Sequence, residues 1–167
     1  MGRVVSQEEL LQMTGRPRRG PRRVVFTNGC FDLLHPGHID MLEDARSRGD
    51  VLIVGVNSDR SVHNLKGPGR PVMPAEERAE ILAALAAVDF VVIFDEDDPR
   101  QLITRLLPDV LAKGGDWPVD KIIGREEVEA AGGEVVSIPF RPPWSTSNII
   151  FEIIKNSPTG SLGRATA

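Results

Sequence analysis

One cysteine, Cys30, among 167 residues leaves no internal disulfide to form, so burial and hydrogen bonding alone must hold the core. No run approaches the roughly eighteen apolar residues that span a bilayer. The first twenty residues carry no apolar signal segment, and the expected compartment is the cytoplasm. Positive charge is not in excess either. Lys and Arg number 20 against 24 Asp and Glu, a net charge of −4, which argues against a general nucleic-acid binder. There is no repeat of solenoid period. What is present is 41% apolar and 26% charged residues, the balance of a globular domain, in a chain long enough for one substantial core.

The most informative stretch runs from Arg23 to His38, RVVFTNGCFDLLHPGH. Val24, Val25 and Phe26 have the length and β-branching of a buried strand. Asn28-Gly29 suits a sharp turn. Pro36 has no N–H to donate and a φ preset near the helical value, so it fits the first turn of a helix continuing through IDMLEDARSRG. A strand, a glycine turn and a helix start bring free backbone N–H groups and the positive end of a helix dipole together, which favours a bound phosphate. His35 and His38, three residues apart, share one helix face and can address the same anion. Cys30, Asp32, His35 and His38 also admit a zinc reading, but Pro-Gly between the histidines at a helix start suits an anion better.

Ser6 before Gln7-Glu8-Glu9 reads as the N-cap of a short helix, SQEELLQMTG. Its Leu10, Leu11 and Met13 would lie on the domain or on a partner subunit. RPRRGPRR follows as a basic linker, either solvated or attracting phosphate beside the site. After the first strand come VLIVGV, FVVIF, DVLAK and EVVSIPF; strands this apolar belong to a sheet covered on both faces. They alternate with the helices DRSVHNL, PAEERAEILAALAAV, RQLITRLL, REEVEAA and NIIFEIIK. The expected fold is therefore α/β, one doubly wound, five-stranded parallel sheet flanked by helices. Residues 1–22 are expected to form a helix and basic linker, 23–155 the domain, and 156–167 a polar, disordered tail.

Ligands of such sheets bind at the carboxyl ends of the strands. There the chain places Asn57-Ser58-Asp59 and then Lys66-Gly67-Pro68-Gly69-Arg70-Pro71, a loop that either presents Lys66 and Arg70 to a ligand or is a hydrated turn. Lys113-Gly114-Gly115-Asp116-Trp117 follows the fourth strand, and Ser145-Thr146-Ser147 caps the last helix. The acidic run from Asp95 to Asp98 reads as a metal site or, more commonly, as capping for the next helix. His63, alone on a surface helix, is not expected to be a ligand. Trp117 and Trp144 are rim or core residues, or platforms for a base.

FTNGCFDLLHPGH resembles the HxGH nucleotidyltransferase superfamily, with His35-Pro36-Gly37-His38 as the first signature and Ser145-Thr146-Ser147 as the second. From Val24 to about Ile154 the chain is similar to the bacterial heptose-1-phosphate adenylyltransferase, or ADP-heptose synthase, family. VNSD at Val56 to Asp59, LKGPGRPV at Leu65 to Val72, FDED at Phe94 to Asp97, KGGD at Lys113 to Asp116 and AGGEVV at Ala131 to Val136 carry the likeness further. It implies a Rossmann-like fold and transfer of a nucleotidyl group from ATP to a sugar 1-phosphate. In that family the acceptor is D-glycero-D-manno-heptose 1-phosphate, and the products are ADP-heptose and pyrophosphate. Glycerol-3-phosphate cytidylyltransferases share the HxGH unit, so a cytidylyltransferase acting on that or a related small phosphate is the alternative; a non-catalytic nucleotide-binding module is a second. The chain departs from the family at Pro142-Pro143, preceded by Arg141, where a Glu-Gly-like pair is usual.

The resemblance makes His35 and His38 the catalytic pair on the triphosphate, with His38 nearest the α-phosphate, and Lys66 the catalytic cation between the two ligands. Asn28, Gly29, Cys30 and Phe31 are expected to meet the nucleotide at the turn. Lys113, Gly114, Gly115 and Asp116 would contact ribose, base or sugar, and Ser145, Thr146 and Ser147 the β- and γ-phosphates. Asp32 is expected to orient the loop. Mg²⁺ is implied as an ion held mainly by the triphosphate, with no protein ligand assigned. The partners expected are a nucleoside triphosphate and a sugar phosphate, with neither nucleic acid nor membrane, in a homodimer supplied by a separate sugar kinase.

Overall fold

The computed structural model describes residues 1–16, 18–115, 117–139 and 144–157. Asp116, the Pro142-Pro143 pair and the tail from 158 onward, all singled out above, lie outside the described residues. Six strands, β1 (Arg3–Val4), β2 (Val24–Gly29), β3 (Val51–Asn57), β4 (Phe90–Phe94), β5 (Val110–Gly114) and β6 (Glu134–Ile138), form one sheet in the order β1-β4-β3-β2-β5-β6. Every neighbouring pair is parallel. The five expected strands are all present, and the sixth corrects the count. β1 adds Arg3 and Val4 beside Phe90 and Val91 of β4, a two-residue strand too short to show a period of its own.

Seven α-helices accompany the strands among the described residues, besides one turn of 3-10 helix at Val119–Lys121: α1 (Gln7–Thr14), α2 (Pro36–Ser47), α3 (Asp59–Lys66), α4 (Ala75–Ala83), α5 (Arg100–Leu106), α6 (Arg125–Ala130) and α7 (Thr146–Asn156). Alternate residues of β2 face opposite cores, which is why the strand is apolar throughout. Val25 packs with Met41, Leu42 and Ala45 of α2 and Ala79 and Leu82 of α4. Val24 and Phe26 pack with Leu102, Ile103 and Leu106 of α5 and Val128 of α6. From β2 the chain winds outward through β3 to β4, then returns to β5 on the other side of β2. That reversal opens a crevice at the carboxyl ends of β2 and β5, where a doubly wound sheet binds its ligand.

The N-terminal segment is part of this body. Ser6 caps α1 reciprocally: its hydroxyl accepts from Glu9 N at 3.2 Å, and the Glu9 carboxylate accepts from Ser6 N at 2.9 Å. Leu10 is fully buried in the core beneath α5, contributing about 2 kcal/mol, so this apolar residue belongs to the domain itself. The arginine run serves the far end of the sheet. Arg19 is buried, donating from Nη1 to Leu107 O at 2.9 Å and from Nη2 to Asp109 Oδ1 at 2.7 Å. Asp109 in turn accepts from Val24 N at 2.8 Å, and Arg23 N donates to Asp50 at 2.7 Å. These contacts sit at the amino ends of β2, β3 and β5, opposite the crevice, so they do not form a phosphate patch beside it.

Candidate active site

A cleft of about 540 Å³ opens at the carboxyl ends of the central strands. Its walls come from the end of β2, the start of α2, the end of α3, the end of β5 and the start of α7. Asn28 and Gly29, expected as a sharp turn, instead extend β2 beside Gly55 and Val56 of β3, because the neighbouring strand supplies ladder partners that no local pattern shows. Asn28, Gly29, Cys30 and Phe31, expected at the nucleotide, line the cleft together with His35 and His38. Of the other residues expected, Lys66, Lys113, Gly114, Ser145, Thr146 and Ser147 also line it. Gly115 lies behind that wall, its N–H donating to Ile138 O at 2.8 Å and its carbonyl accepting from Ser137 Oγ at 2.7 Å.

The histidine pair is built by the start of α2. His35 is the N-cap in extended conformation, Pro36 is the first helical residue, and His38 N donates to His35 O at 2.9 Å. The two imidazoles stack with centroids 3.8 Å apart and 19° between their planes. The Phe31 ring lies 5.3 Å from His38 at 55°. A Cβ at position 37 would stand 3.2 Å from His35 Nδ1 and 3.3 Å from Trp144 Cβ, so a side chain there would press on the His35 ring. Burial pushes the His35 pKa down. Burial, and secondarily the charge of His35, take His38 down to about 4. At neutral pH both rings are therefore uncharged, each with one N–H to donate.

Around them the cations are held in different ways. Lys66 ends α3 and is exposed. The Lys113 ammonium lies 3.4 Å from Asn28 O, and burial pushes its pKa down. Burial raises the pKa of Cys30 against the fields of Lys66, Arg78, Arg70 and Lys113, so the thiol stays protonated and is no nucleophile. Asp32 is 2% exposed; its Oδ1 accepts from Val72 N at 2.7 Å and Met73 N at 3.1 Å, and its Oδ2 from Arg70 Nε. It thereby ties the segment from Arg70 to Met73 to the start of the histidine loop.

Arg78 went unnoticed in the sequence. It is 1% exposed, donating from Nε to Met73 O at 2.9 Å, from Nη1 to Cys30 O and from Nη2 to Asp59 Oδ1 at 2.7 Å. One guanidinium thus ties α4 to the turn below the histidines and to the start of α3. Its signal was there to read: Ala75, Arg78, Ala79 and Leu82 share the buried face of α4.

At the other wall, the Ser145 hydroxyl accepts from Asn148 N at 3.0 Å and caps α7. The Thr146 hydroxyl donates to Leu33 O at 2.9 Å, fastening the start of α7 to the loop that carries His35. Trp117 and Trp144, half exposed, both line the cleft. His63 is exposed on α3. The acidic run has structural partners: Asp95 pairs with Ser58 and Arg60, Asp97 accepts from Asn64, and Asp98 caps Arg100 N at 2.8 Å. Among the described residues, no group of three or more His, Cys, Asp or Glu is placed to hold a metal ion.

Comparison with known proteins gives the arrangement its relatives. The family model for cytidylyltransferase-like proteins matches residues 26–155. The Bifunctional protein HldE of Koribacter versatilis (strain Ellin345) is 54% identical over 148 residues, 89% of this chain and 30% of that protein. The Bifunctional protein HldE of Geobacter sulfurreducens is 57% identical over 134 residues, 80% of this chain and 27% of that one. The chain thus spans under a third of the length of these curated relatives. Among solved structures, the lipopolysaccharide core biosynthesis protein from Thermoplasma volcanium aligns with a TM-score of 0.63 at 26% identity, over 72% of this chain and 98% of that one. Pantothenate synthetase from Thermus thermophilus aligns at 0.60 with 20% identity, over 88% and 67%, and shares the fold.

Proposed function

The chain belongs to the cytidylyltransferase-like family, and on that premise we propose that it is a nucleotidyltransferase that moves the adenylyl group of ATP to a sugar 1-phosphate. The acceptor in this proposal is D-glycero-D-manno-heptose 1-phosphate, and the products are ADP-heptose and pyrophosphate. The motif-by-motif likeness to heptose-1-phosphate adenylyltransferases supports it, as does 54% identity to a protein named bifunctional HldE. The observation that carries it is the stacked, uncharged histidine pair at the start of α2, in one cleft with Lys66, Lys113 and the start of α7.

In this reaction a phosphate oxygen of the acceptor attacks the α-phosphorus of ATP, the bond from that phosphorus to the α–β bridging oxygen breaks, and pyrophosphate leaves with the electron pair. A phosphate monoester with a second pKa of about 6 is mostly dianionic at neutral pH, so no general base is needed. The protein has to align two polyanions and stabilise the charge developing on the α-phosphate oxygens. His38 gives its N–H there, and His35 gives another to the triphosphate. Lys66 spans the two ligands, while Lys113 and Gly114 meet the nucleoside side. The end of β2 at Asn28 and Gly29, with Cys30 and Phe31 after it, offers backbone to the nucleotide. Ser145 accepts from Asn148 N and keeps its own proton for a phosphate oxygen. With Ser147 and the free N–H groups of α7, it receives the β- and γ-phosphates. Thr146 spends its proton on Leu33 O and so holds this wall in place.

Mg²⁺ belongs to the substrate in this proposal. The triphosphate holds it, since Mg²⁺ keeps several waters and binds mostly through phosphates. The catalytic unit spans 23–155, acts in the cytoplasm and receives its acceptor from a sugar kinase. No helix among the described residues is long and apolar enough to cross a membrane. The protein pairs as a homodimer, and the exposed Phe151, Ile153 and Ile154 of α7 are apolar surface for that pairing to cover. Phosphorus NMR tests the chemistry: incubation with MgATP and the heptose 1-phosphate should replace the monoester resonance with those of a sugar diphosphate and pyrophosphate.

A further inference from the structure

The loop between α3 and α4 brings Arg70 into the cleft wall beside Lys66. Its Nε donates to Asp32 Oδ2, and the side chain is 16% exposed. Asp32 itself is immobilised, since its other oxygen takes the N–H groups of Val72 and Met73. An arginine carries five N–H donors in a planar fork. With Nε on Asp32, no described residue accepts from Nη1 or Nη2 of Arg70. Arg78, the other guanidinium acting on Cys30, differs: all three of its nitrogens are committed to Met73, Cys30 and Asp59. Arg70 is thus a guanidinium fixed at one edge with its remaining donors available at a cleft wall.

The topology says which phosphate this is. The start of α7 is reached from β6 and is fastened by Thr146 to Leu33 O, whereas the Arg70 loop is reached from β3 through α3 and is fastened to Asp32; β6 and β3 lie on opposite sides of β2 in the sheet. In-line displacement requires attacking and leaving oxygens on opposite sides of the α-phosphorus. If pyrophosphate departs toward α7, the attacking phosphate comes from the Arg70 side. We propose that Arg70, oriented by Asp32, binds the phosphate monoester of the acceptor through Nη1 and Nη2, making it a further substrate-binding residue and Asp32 its positioning residue. This rests on the nucleotidyl-transfer reading above. A forked donor pair matches two oxygens of one phosphate, and Gly67 and Gly69, at φ of +85° and +80° with open space around each, let Lys66 adjust while Arg70 stays fixed.

The test compares wild type with Arg70→Gln, Arg70→Lys and Asp32→Asn. The KM for the acceptor and the directly titrated Kd for α,β-methylene-ATP are measured for each. Arg70→Gln should raise the acceptor KM about tenfold or more while moving the nucleotide Kd less than about twofold. Arg70→Lys, which keeps the charge but loses the fork, should also raise it. Asp32→Asn should shift the acceptor KM in the same direction. Inorganic phosphate, titrated into protein saturated with α,β-methylene-ATP, separates this inference from the choice of acceptor. Wild type should bind it and Arg70→Lys should bind it several-fold more weakly, even if no sugar phosphate tried is turned over. Equal weakening of nucleotide and acceptor, or unchanged phosphate binding in Arg70→Lys, overturns the proposal.

Discussion

A proton on His35 opposes a proton on His38, because their rings stack 3.8 Å apart in partly buried surroundings. The folded protein therefore binds these protons less readily than the unfolded chain. As pH falls, the unfolded chain takes up its proton near 6.5 and the folded His38 only near 4. The pair's contribution to stability is complete above pH 6.5 and is lost progressively from there down to about 4, by at most about 3 kcal/mol for His38. The urea midpoint should fall further between pH 7.5 and 4.5 in wild type than in His38→Asn, which has no imidazole at position 38 to titrate. Equal falls would contradict the assignment.

His38→Asn should lower kcat by about a hundredfold or more, the usual effect of losing a donor aimed at developing charge. Nucleotide affinity should change little, since the interaction strengthens in the transition state. Initial-rate pyrophosphate release measures this, and an unreduced kcat would remove His38 from the mechanism.

Arg78→Met should destabilise the domain by about 3 kcal/mol, because it strips the carbonyls of Cys30 and Met73 of a buried charged donor and leaves Asp59 without its cation. The urea midpoint reports it. A loss well under 1 kcal/mol would show that the tie between α4 and the turn is not needed.

How much of this was legible in the sequence depended on distance along the chain. The β2–α2 unit could be read in outline because Val24 to Phe26, Pro36 and the two histidines act within a few residues of one another, whereas Asn28 and Gly29 belong to β2 and not to a turn, a placement set by β3 alongside. The covered sheet could be read because strands such as VLIVGV have no polar face. Buried pairs far apart in sequence could not: Asp32 and Arg70 lie 38 residues apart and Arg19 and Asp109 lie 90 apart, with no local pattern joining them. The arginine run looked like a solvated linker for that reason. β1 escaped because two residues make no period, and its place is set by β4. Arg78 escaped because an arginine one place after Glu76-Glu77 carries no local mark of burial, although its spacing from Ala75, Ala79 and Leu82 points inward.

Thr146→Val should raise the KM for ATP about fivefold, since the hydroxyl donated to Leu33 O aligns the phosphate-binding start of α7 with the histidine loop, and such a bond is worth about 1 kcal/mol. Thr146→Ser, which keeps the donor, should restore it. If serine and valine behave alike, the hydroxyl does not hold this wall.

The most direct test of the central reading is pyrophosphate release by the purified protein with Mg²⁺. ATP, CTP, GTP and UTP are each offered against both anomers of D-glycero-D-manno-heptose 1-phosphate and against glycerol 3-phosphate. The account predicts release with ATP and one heptose 1-phosphate anomer, well above every other pair. Release only with CTP and glycerol 3-phosphate, or none with any pair by a protein that binds nucleotide, would contradict it.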